Sequence, residues 1–298
     1  MTEIDGSQAA TSERANTLQG FGAVLLWGAL AALTTYAGPV PPFQLAAITF
    51  TIGAAVGVAY AAMTRQSLAG LKSVPWGFWA LGVYGLLAFH ACYFFALQTA
   101  PALEASLIIY LWPLLIVLFS GLLPARYSGR RLTVWHVAGA LLGLAGTVLV
   151  LLGKAGQPGA AGQTIGYIMA VAAALIWASY SVASRLFQGV PSLAVIGSCA
   201  LSAVGAAGLH LALETTVWPA GTTAWAAVVA LGLGPVGLAF YWWDAGMKRG
   251  NVQVLGTLAY ATPLLSTLLM TTLGVTSASS TVWLAAGLIT AGAALASR

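Results

Sequence analysis

The chain has 298 residues, of which 60% are hydrophobic and only 6% are charged. A soluble domain has about 25% charged residues, so this composition has too little polarity to cover a water-exposed surface. The net charge is +5, but the basic residues are scattered between apolar runs, which argues against a nucleic-acid partner. The composition therefore excludes a soluble enzyme and predicts an all-α integral membrane protein whose surroundings are the lipid bilayer.

Ten apolar stretches follow one another along the chain, separated by short turn-rich segments. A helix that crosses the hydrocarbon core needs about 20 apolar residues. Residues 1–17 are polar and of mixed charge, which predicts a short cytoplasmic tail and not a signal peptide. No loop is long enough for a soluble domain, so any function must lie within the helical bundle. The predicted spans are 18–37, 43–63, 75–98, 102–122, 133–152, 165–186, 192–213, 224–247, 252–273 and 280–297.

The distribution of basic residues predicts the orientation. With ten spans, both termini and the even-to-odd loops lie on one side of the membrane. That side has all but one of the 11 Lys and Arg residues, and the exception is Lys154. Because basic loops stay in the cytoplasm, both termini are predicted to be cytoplasmic.

The two halves of the chain resemble each other at an offset of about 150 residues. Residues 18–153 and 165–298 then form two five-helix repeats, joined by a linker at 154–164. Since five is odd, the second repeat enters the membrane from the opposite side. Inverted repeats recur in secondary transporters, where substrate binds between the halves and access alternates. The matching pairs are Leu26-Trp27 with Ile176-Trp177, Leu87-Ala88-Phe89 with Leu238-Ala239-Phe240, Tyr110-x-x-Pro113-Leu114-Leu115 with Tyr260-x-x-Pro263-Leu264-Leu265, and Trp135-x-x-Ala138-Gly139 with Trp283-x-x-Ala286-Gly287.

These features resemble a known family. Ten spans, a five-plus-five repeat, a Trp in the first span of each half and Tyr-x-x-Pro-Leu-Leu in the fourth are similar to the drug/metabolite transporter superfamily, and within it to the EamA-type exporters. The aromatic richness of spans 3 and 4 is similar to that of family members that export aromatic amino acids. The resemblance implies a multi-pass protein of the bacterial inner membrane that exports amino acids, aromatic and other neutral ones, or related metabolites.

Three alternative functions stay open at this point. The first is an exporter of the same kind whose substrate is another small metabolite or a drug. The second is an intramembrane enzyme that acts on lipid, which would place acids, histidines or serines together at one depth. The third is a channel, which would have a polar stripe along one pore. Neither of these last two patterns is visible in the sequence.

Aromatic and polar residues at mid-depth are the candidate substrate-binding residues. Aromatic faces attract an ammonium group, by about 0.5–2 kcal/mol each, and stack on aromatic substrates. His90 is ionisable at membrane depth, where such groups are functional candidates by default, and Tyr93 shares its helix face. Tyr110 and Tyr260 each lie three residues before a mid-span proline. The full predicted set is Trp27, His90, Tyr93, Tyr110, Trp112, Trp177, Tyr241, Trp242 and Tyr260.

Prolines and charges suggest moving parts. Pro113 and Pro263 each remove a backbone donor and loosen their helix, so both are predicted hinges. Asp244 and Lys248 are spaced by four residues near the end of span 8, which predicts either a helix-end ion pair or a gate. Glu214 is predicted to be solvated near the outer surface.

The sequence contains no motif for a metal or a cofactor. The three histidines lie in separate spans, and neither a metal-ligand pair nor a nucleotide-binding loop occurs. Cys92 and Cys199 lie inside apolar spans and are predicted to be packed thiols. We therefore predict no cofactor and no metal, with a small molecule as the partner. The sequence leaves the oligomeric state open, and a monomer is compatible with it.

Two glycine pairs have the spacing of close helix contacts. Gly53 and Gly57 lie in span 2, and Gly139 and Gly143 lie in span 5. Small residues four apart let helix backbones approach in membranes, so both pairs are predicted to be structural.

Overall fold

A computed structural model describes residues 2–120, 133–152, 160–250, 255, 258–259, 262–275, 277 and 279–296. Within these residues the fold is helical and contains no β-strand. The helices are α1 (Thr2–Gly28), α2 (Leu30–Tyr36), α3 (Pro42–Met63), α4 (Trp76–Val83), α5 (Phe89–Thr99), α6 (Ala102–Ile109), α7 (Trp112–Ser120), α8 (Val134–Leu152), α9 (Ala160–Ala183), α10 (Val195–Leu213), α11 (Gly221–Leu233), α12 (Ala239–Arg249), α13 (Thr262–Thr272) and α14 (Ser280–Ala296).

Among the described residues, six helical stretches are long and apolar enough to cross a membrane, and they match predicted spans 1, 2, 3, 6, 7 and 8. They are Glu13–Tyr36, Pro42–Met63, Trp76–Thr99, Gln163–Phe187, Ser192–Leu213 and Gly221–Arg249. Shorter apolar helices lie at Ala102–Ile116, Val137–Gly146 and Ser280–Gly292, within predicted spans 4, 5 and 10. Helix α1 begins at Thr2, so the polar segment predicted as a tail is a helical extension of span 1.

In the part of the chain that the structure describes, four spans are interrupted near their middle. Span 1 breaks at Ala29, between α1 and α2. Span 4 breaks between Ile109 and Trp112, because Pro113 has no N–H for the carbonyl of Ile109. Spans 3 and 8 each contain a π-helical turn, at Tyr84–Ala88 and Gly234–Leu238. The two π turns are separated by the same offset as the sequence repeat, and such turns are frequent at functional sites.

The helices pair in a way that respects the repeat. Helix α1 packs along α12, and α9 packs along α5, so span 1 lies against span 8 and span 6 against span 3. These two pairs exchange when the halves are exchanged. The other extensive pairs, α3 with α10 and α8 with α14, join a span to its own counterpart. This is the pattern that two repeats related by a two-fold axis produce.

Glycines permit the closest of these approaches. A Cβ atom at Gly292 would lie 2.6 Å from the carbonyl oxygen of Gly139 and 2.6 Å from the amide nitrogen of Gly143. A Cβ atom at Gly53 would lie 2.8 Å from the carbonyl oxygen of Val236. Real Cβ atoms do not come this close to backbone, so these distances confirm close helix contacts at Gly53 and, through Gly292, at Gly139 and Gly143.

Candidate substrate-binding site

Aromatic side chains from both halves converge at the centre of the bundle. We call this group the aromatic cage: Trp27, Phe89, Tyr93, Tyr110, Trp112, Trp177, Phe240 and Trp243, all of them buried. Seven of the eight rings, with Leu30 and Ile109, line a central cavity of about 20 Å³. A cavity of this size accommodates about one water molecule. The cage is therefore closed in this conformation.

Trp27 is the central ring of the cage. Its ring centroid lies 5.3 Å from that of Trp177, 5.1 Å from that of Trp243 and 6.1 Å from that of Trp112. All three pairs are edge-to-face, the arrangement that the ring quadrupole favours. The indole N–H donates to the carbonyl oxygen of Pro235 at 3.0 Å. This bond joins span 1 to the π turn of span 8.

The interruption of span 4 positions Tyr110. This residue caps the end of α6 and is 5% exposed. Its hydroxyl donates to the carbonyl oxygen of Trp27 at 3.4 Å. The break before Pro113 therefore brings a phenol of span 4 against the interruption of span 1, next to the cavity.

His90 lies behind the cage wall and does not line the cavity. Its Nδ1 lies 2.9 Å from the carbonyl oxygen of Leu86, within the π turn. Since a carbonyl only accepts, Nδ1 is the donor. The imidazole packs against Phe50 and Phe240, with centroids 4.9 and 5.6 Å away, and is 1% exposed. Its placement supports the ring of Phe240 from outside the cavity.

The aromatic run of span 8 divides between two surroundings. Trp243 belongs to the cage, whereas Tyr241 and Trp242 are half-buried and line a separate cavity described below. The prediction from sequence omitted Trp243, Phe89 and Phe240. Phe89 and Phe240 are equivalent residues of the Leu-Ala-Phe match between the halves, so the repeat itself was a signal for both.

The second Tyr-x-x-Pro motif is described only in part. Tyr260 lies outside the described residues. Pro263 is buried and is the second residue of α13, where a missing N–H is tolerated. Its carbonyl oxygen accepts a bond from the hydroxyl of Thr267 at 2.8 Å.

Two wide vestibules flank the cage along span 1. The Lys248 vestibule has a volume of about 560 Å³ and includes Asn16. The Gln98 vestibule has a volume of about 550 Å³ and includes Thr34. Trp27 lies between Asn16 and Thr34, about 16 Å and 10 Å away along the helix at 1.5 Å per residue. Other residues of the Lys248 vestibule are Gln19, Tyr60, Gln66, Gln188, Tyr241, Trp242 and Arg249, and others of the Gln98 vestibule are Thr35, Leu97, Glu104 and Met270.

Asp244 and Lys248 form an ion pair of 2.9 Å on α12, with side chains only 9% and 8% exposed. The ammonium group also donates to the carbonyl oxygen of Val190 at 2.7 Å. It lies 5.5 Å from the ring centroid of Phe78. The pair is thus buried at the vestibule wall and links three separate segments.

The prediction that Glu214 is solvated is wrong. Its carboxylate accepts bonds from the backbone N–H groups of Phe43, at 2.9 Å, and Gln44, at 3.0 Å. It also contacts Nδ1 of His210 at 2.9 Å. The first N–H groups of a helix lack intrahelical partners and attract negative charge. Glu214 therefore caps the N-terminus of α3 from the other half of the chain.

A repeated helical bundle with a closed central site between two vestibules is the architecture of a secondary transporter. The sequence matches the EamA-like transporter family over residues 17–152 and 164–298. The chain belongs to this family, so the resemblance predicted from the sequence is confirmed. Together with the six long apolar helices, the family makes it a multi-pass transporter of the inner membrane.

The named relatives of the chain share one description. The chain is 52% identical over 286 residues to the aromatic amino acid exporter YddG of Ancylobacter novellus, covering 96% of this chain and 98% of that one. It is 28% identical to the aromatic amino acid exporter YddG of Salmonella typhimurium, covering 96% and 97%. A solved crystal structure that is 51% identical superposes with a TM-score of 0.78 and covers 95% of this chain and 97% of that chain.

Proposed function

We propose that the protein exports aromatic and other neutral amino acids from the cytoplasm by alternating access, with the aromatic cage as the binding site. The observation on which this rests is a cage of rings from both halves, closed between two vestibules. The relatives named as aromatic amino acid exporters support the substrate class. Within the cage we assign substrate contact to Trp27, Tyr93, Tyr110, Trp112 and Trp177. We reassign Tyr241 and Trp242 from the predicted binding set to the access path, because they line the Lys248 vestibule, and His90 to support of the cage wall. Tyr260 stays a predicted substrate-binding residue.

The chemistry of the cage suits an aromatic amino acid. The indole faces attract the substrate ammonium group, and the ring edges and faces stack on its side chain. A cavity of about 20 Å³ is far too small for such a molecule, since ligand pockets usually enclose about 300–1,000 Å³. The rings must separate to admit the substrate. New ring contacts with the substrate then replace the edge-to-face contacts that the cage loses, which limits the cost of opening.

The interruptions of spans 1, 3, 4 and 8 lie where this movement is needed. One π turn directly precedes Phe89, the other ends two residues before Phe240, and the break at Pro113 is next to Trp112. Helices bend most readily at such turns and at prolines. We assign the hinge role to these points, with Pro263 as the counterpart of Pro113.

We further propose that the bundle has ten membrane helices, in two repeats at 18–153 and 165–298, with both termini cytoplasmic. The shorter apolar helices, together with span 9 at 252–273, complete the six long ones. The excess of basic residues on one side supports the orientation. The Lys248 vestibule then opens to the cytoplasm and the Gln98 vestibule to the outside.

Uptake of labelled tryptophan into proteoliposomes of the purified protein tests the substrate class. We expect time-dependent uptake above that of empty liposomes, with competition by unlabelled phenylalanine and threonine. Absence of uptake of any amino acid by folded protein would refute the proposal. Uptake of another metabolite or a drug in the same vesicles would then establish the alternative substrate.

Paired tryptophan variants test the cage. Trp177→Phe is expected to reduce the initial rate of tryptophan uptake about tenfold, since a ring contact of this kind is worth about 1–2 kcal/mol. Trp283→Phe alters a ring that is 39% exposed on the outer surface and is the matched control. Equal rates in both variants, at equal amounts of monodisperse protein, would place the site elsewhere.

A further inference from the structure

Two hydrogen bonds occupy equivalent positions in the two repeats. Lys248 donates to the carbonyl oxygen of Val190 at 2.7 Å, and Gln98 donates to the carbonyl oxygen of Val40 at 2.6 Å. Each bond joins residues that are 58 positions apart in the chain. Lys248 and Val190 each lie at the repeat offset of about 150 residues from Gln98 and Val40, respectively. Both join the last turn of a long span to the connection after the first span of its half. We call them the Lys248 latch and the Gln98 latch.

The two latches differ in charge. The amide of Gln98 is neutral, whereas Lys248 is paired with Asp244 at 2.9 Å. At the offset of 150 residues that relates the two latches, the residue aligned with Asp244 is Phe94, and by the Leu-Ala-Phe match, whose offset is 151, it is Tyr93. Both are buried, and neither is charged. One half therefore has a buried ion pair where the other has none. Burying charge is costly. We therefore expect this difference between the halves to have a function, and that function to act at only one entrance of the transport path.

The ion pair is incompletely satisfied. Asp244 is 9% exposed, and its Oδ2 has no hydrogen-bond partner among the described residues, whereas Oδ1 contacts Lys248. A buried carboxylate oxygen without a donor is unfavourable by about 1–3 kcal/mol or more. An incoming donor of positive charge would remove this penalty.

The pair lies between the cage and the Lys248 vestibule. Asp244 follows the cage residue Phe240 by four positions, so it shares its helix face one turn nearer the vestibule. Lys248 lies one turn further along and lines the vestibule itself. A molecule moving from this vestibule to the cage therefore passes the ammonium group first and the carboxylate second.

We propose that Asp244 and Lys248 form a head-group subsite that selects zwitterions, with the substrate ammonium bound to Oδ2 of Asp244 and the substrate carboxylate bound to Nζ of Lys248. The inference rests on the proposed export of amino acids and identifies how their common head group is recognised. A carboxylate is a stronger acceptor than a backbone carbonyl, so the substrate displaces Val190. The Lys248 latch then opens in response to substrate, whereas the neutral Gln98 latch does not depend on head-group charge.

Analogues with an incomplete head group test this subsite. Unlabelled tryptophan, tryptamine and indole-3-propionate have the same ring, but the last two lack the carboxylate and the ammonium, respectively. Each compound competes with labelled tryptophan for uptake, and the measured ratio is the concentration of analogue that halves uptake divided by that of unlabelled tryptophan. For the wild-type protein this ratio should be about 10 to 100, the factor expected for one lost charge-assisted bond. The double variant Asp244→Asn/Lys248→Gln removes both charges together and leaves none unpaired. In this variant the ratio of analogue to tryptophan should fall to about threefold or less.

Arg249→Gln is the matched control. It removes a positive charge from the same vestibule, where Arg249 contacts the hydroxyl of Ser192 at 3.2 Å, and should keep the wild-type ratio. An unchanged ratio in the Asp244→Asn/Lys248→Gln protein overturns the subsite. If that protein does not fold, Asp244→Lys/Lys248→Asp retains an ion pair of reversed direction, and tryptophan uptake with the wild-type ratio overturns the proposal. Failure of the proposed function differs, because the wild-type protein itself would then take up no tryptophan.

Discussion

Replacing Glu214 by Gln should destabilise the protein without touching the cage. Both carboxylate oxygens are engaged, Oε1 by the N–H of Phe43 at 2.9 Å and Oε2 by the N–H of Gln44 at 3.0 Å. Oε2 also contacts His210 at 2.9 Å. A glutamine amide accepts only at its one oxygen and presents an NH₂ group to a backbone donor. The variant therefore loses one helix-capping bond and leaves one donor unpaired.

The size of the effect follows from these contacts. A hydrogen bond to a charged group contributes about 1.5–3 kcal/mol, and an unpaired buried donor costs about 1–3 kcal/mol. The side chain of Glu214 is 13% exposed, so water compensates part of the loss. We expect a net loss of about 3 kcal/mol in the free energy of unfolding. At about 2–4 °C per kcal/mol, the Tm should fall by about 6–12 °C.

Thermal unfolding of the purified protein in detergent measures this shift. Glu13→Gln neutralises an exposed glutamate at the other end of the bundle and is the control, with a Tm expected within about 2 °C of the wild type. A Glu214→Gln protein that melts together with this control would refute the assignment of Glu214 as the cap of α3.

Two further substitutions test the packing and the cage. Gly292→Ala places a Cβ atom 2.6 Å from backbone atoms of span 5 and should destabilise the protein by about 1–3 kcal/mol. Gly287→Ala is the control, because a Cβ atom there has nothing within 4 Å. Equal Tm values for the two variants would contradict the close approach at Gly292. Trp27→Phe leaves the carbonyl of Pro235 without its donor, which costs about 1–3 kcal/mol and should slow tryptophan uptake about tenfold. Trp225→Phe is the control, because the side chain of Trp225 is 40% exposed. A wild-type rate of uptake in the Trp27→Phe protein would show that the bond to Pro235 has no part in transport.

The sequence predicted the long helices because hydrophobic length is a local property. Six spans occur where the apolar runs place them, and the break in span 4 occurs at Pro113, where a ring replaces an N–H. The repeat was also visible, and it contained Phe89 and Phe240 among its matched residues. Mid-depth aromatic residues such as Trp27, Trp112 and Trp177 were predicted to belong together, and they do meet in the structure.

Only the tertiary structure decided between neighbours of the same chemistry. Trp242 and Trp243 are adjacent and equally aromatic, but successive residues of a helix point about 100° apart. The contacts of Trp243 with Trp27 of α1 and Trp112 of α7 place it in the cage. His90 was a candidate by its charge, yet the packing of Phe50 and Phe240 around it places it outside the cavity.

What the sequence by itself determined is the number of apolar stretches, the repeat and the concentration of aromatic residues at mid-depth. The tertiary structure decided the contacts between distant residues. Glu214 caps a helix that begins more than 170 residues earlier, with a separation of 171 to Phe43, and the two latches each join residues 58 apart. Local periodicity has no information on such pairs, because it reports which face of a helix is apolar and not which helix will lie against that face.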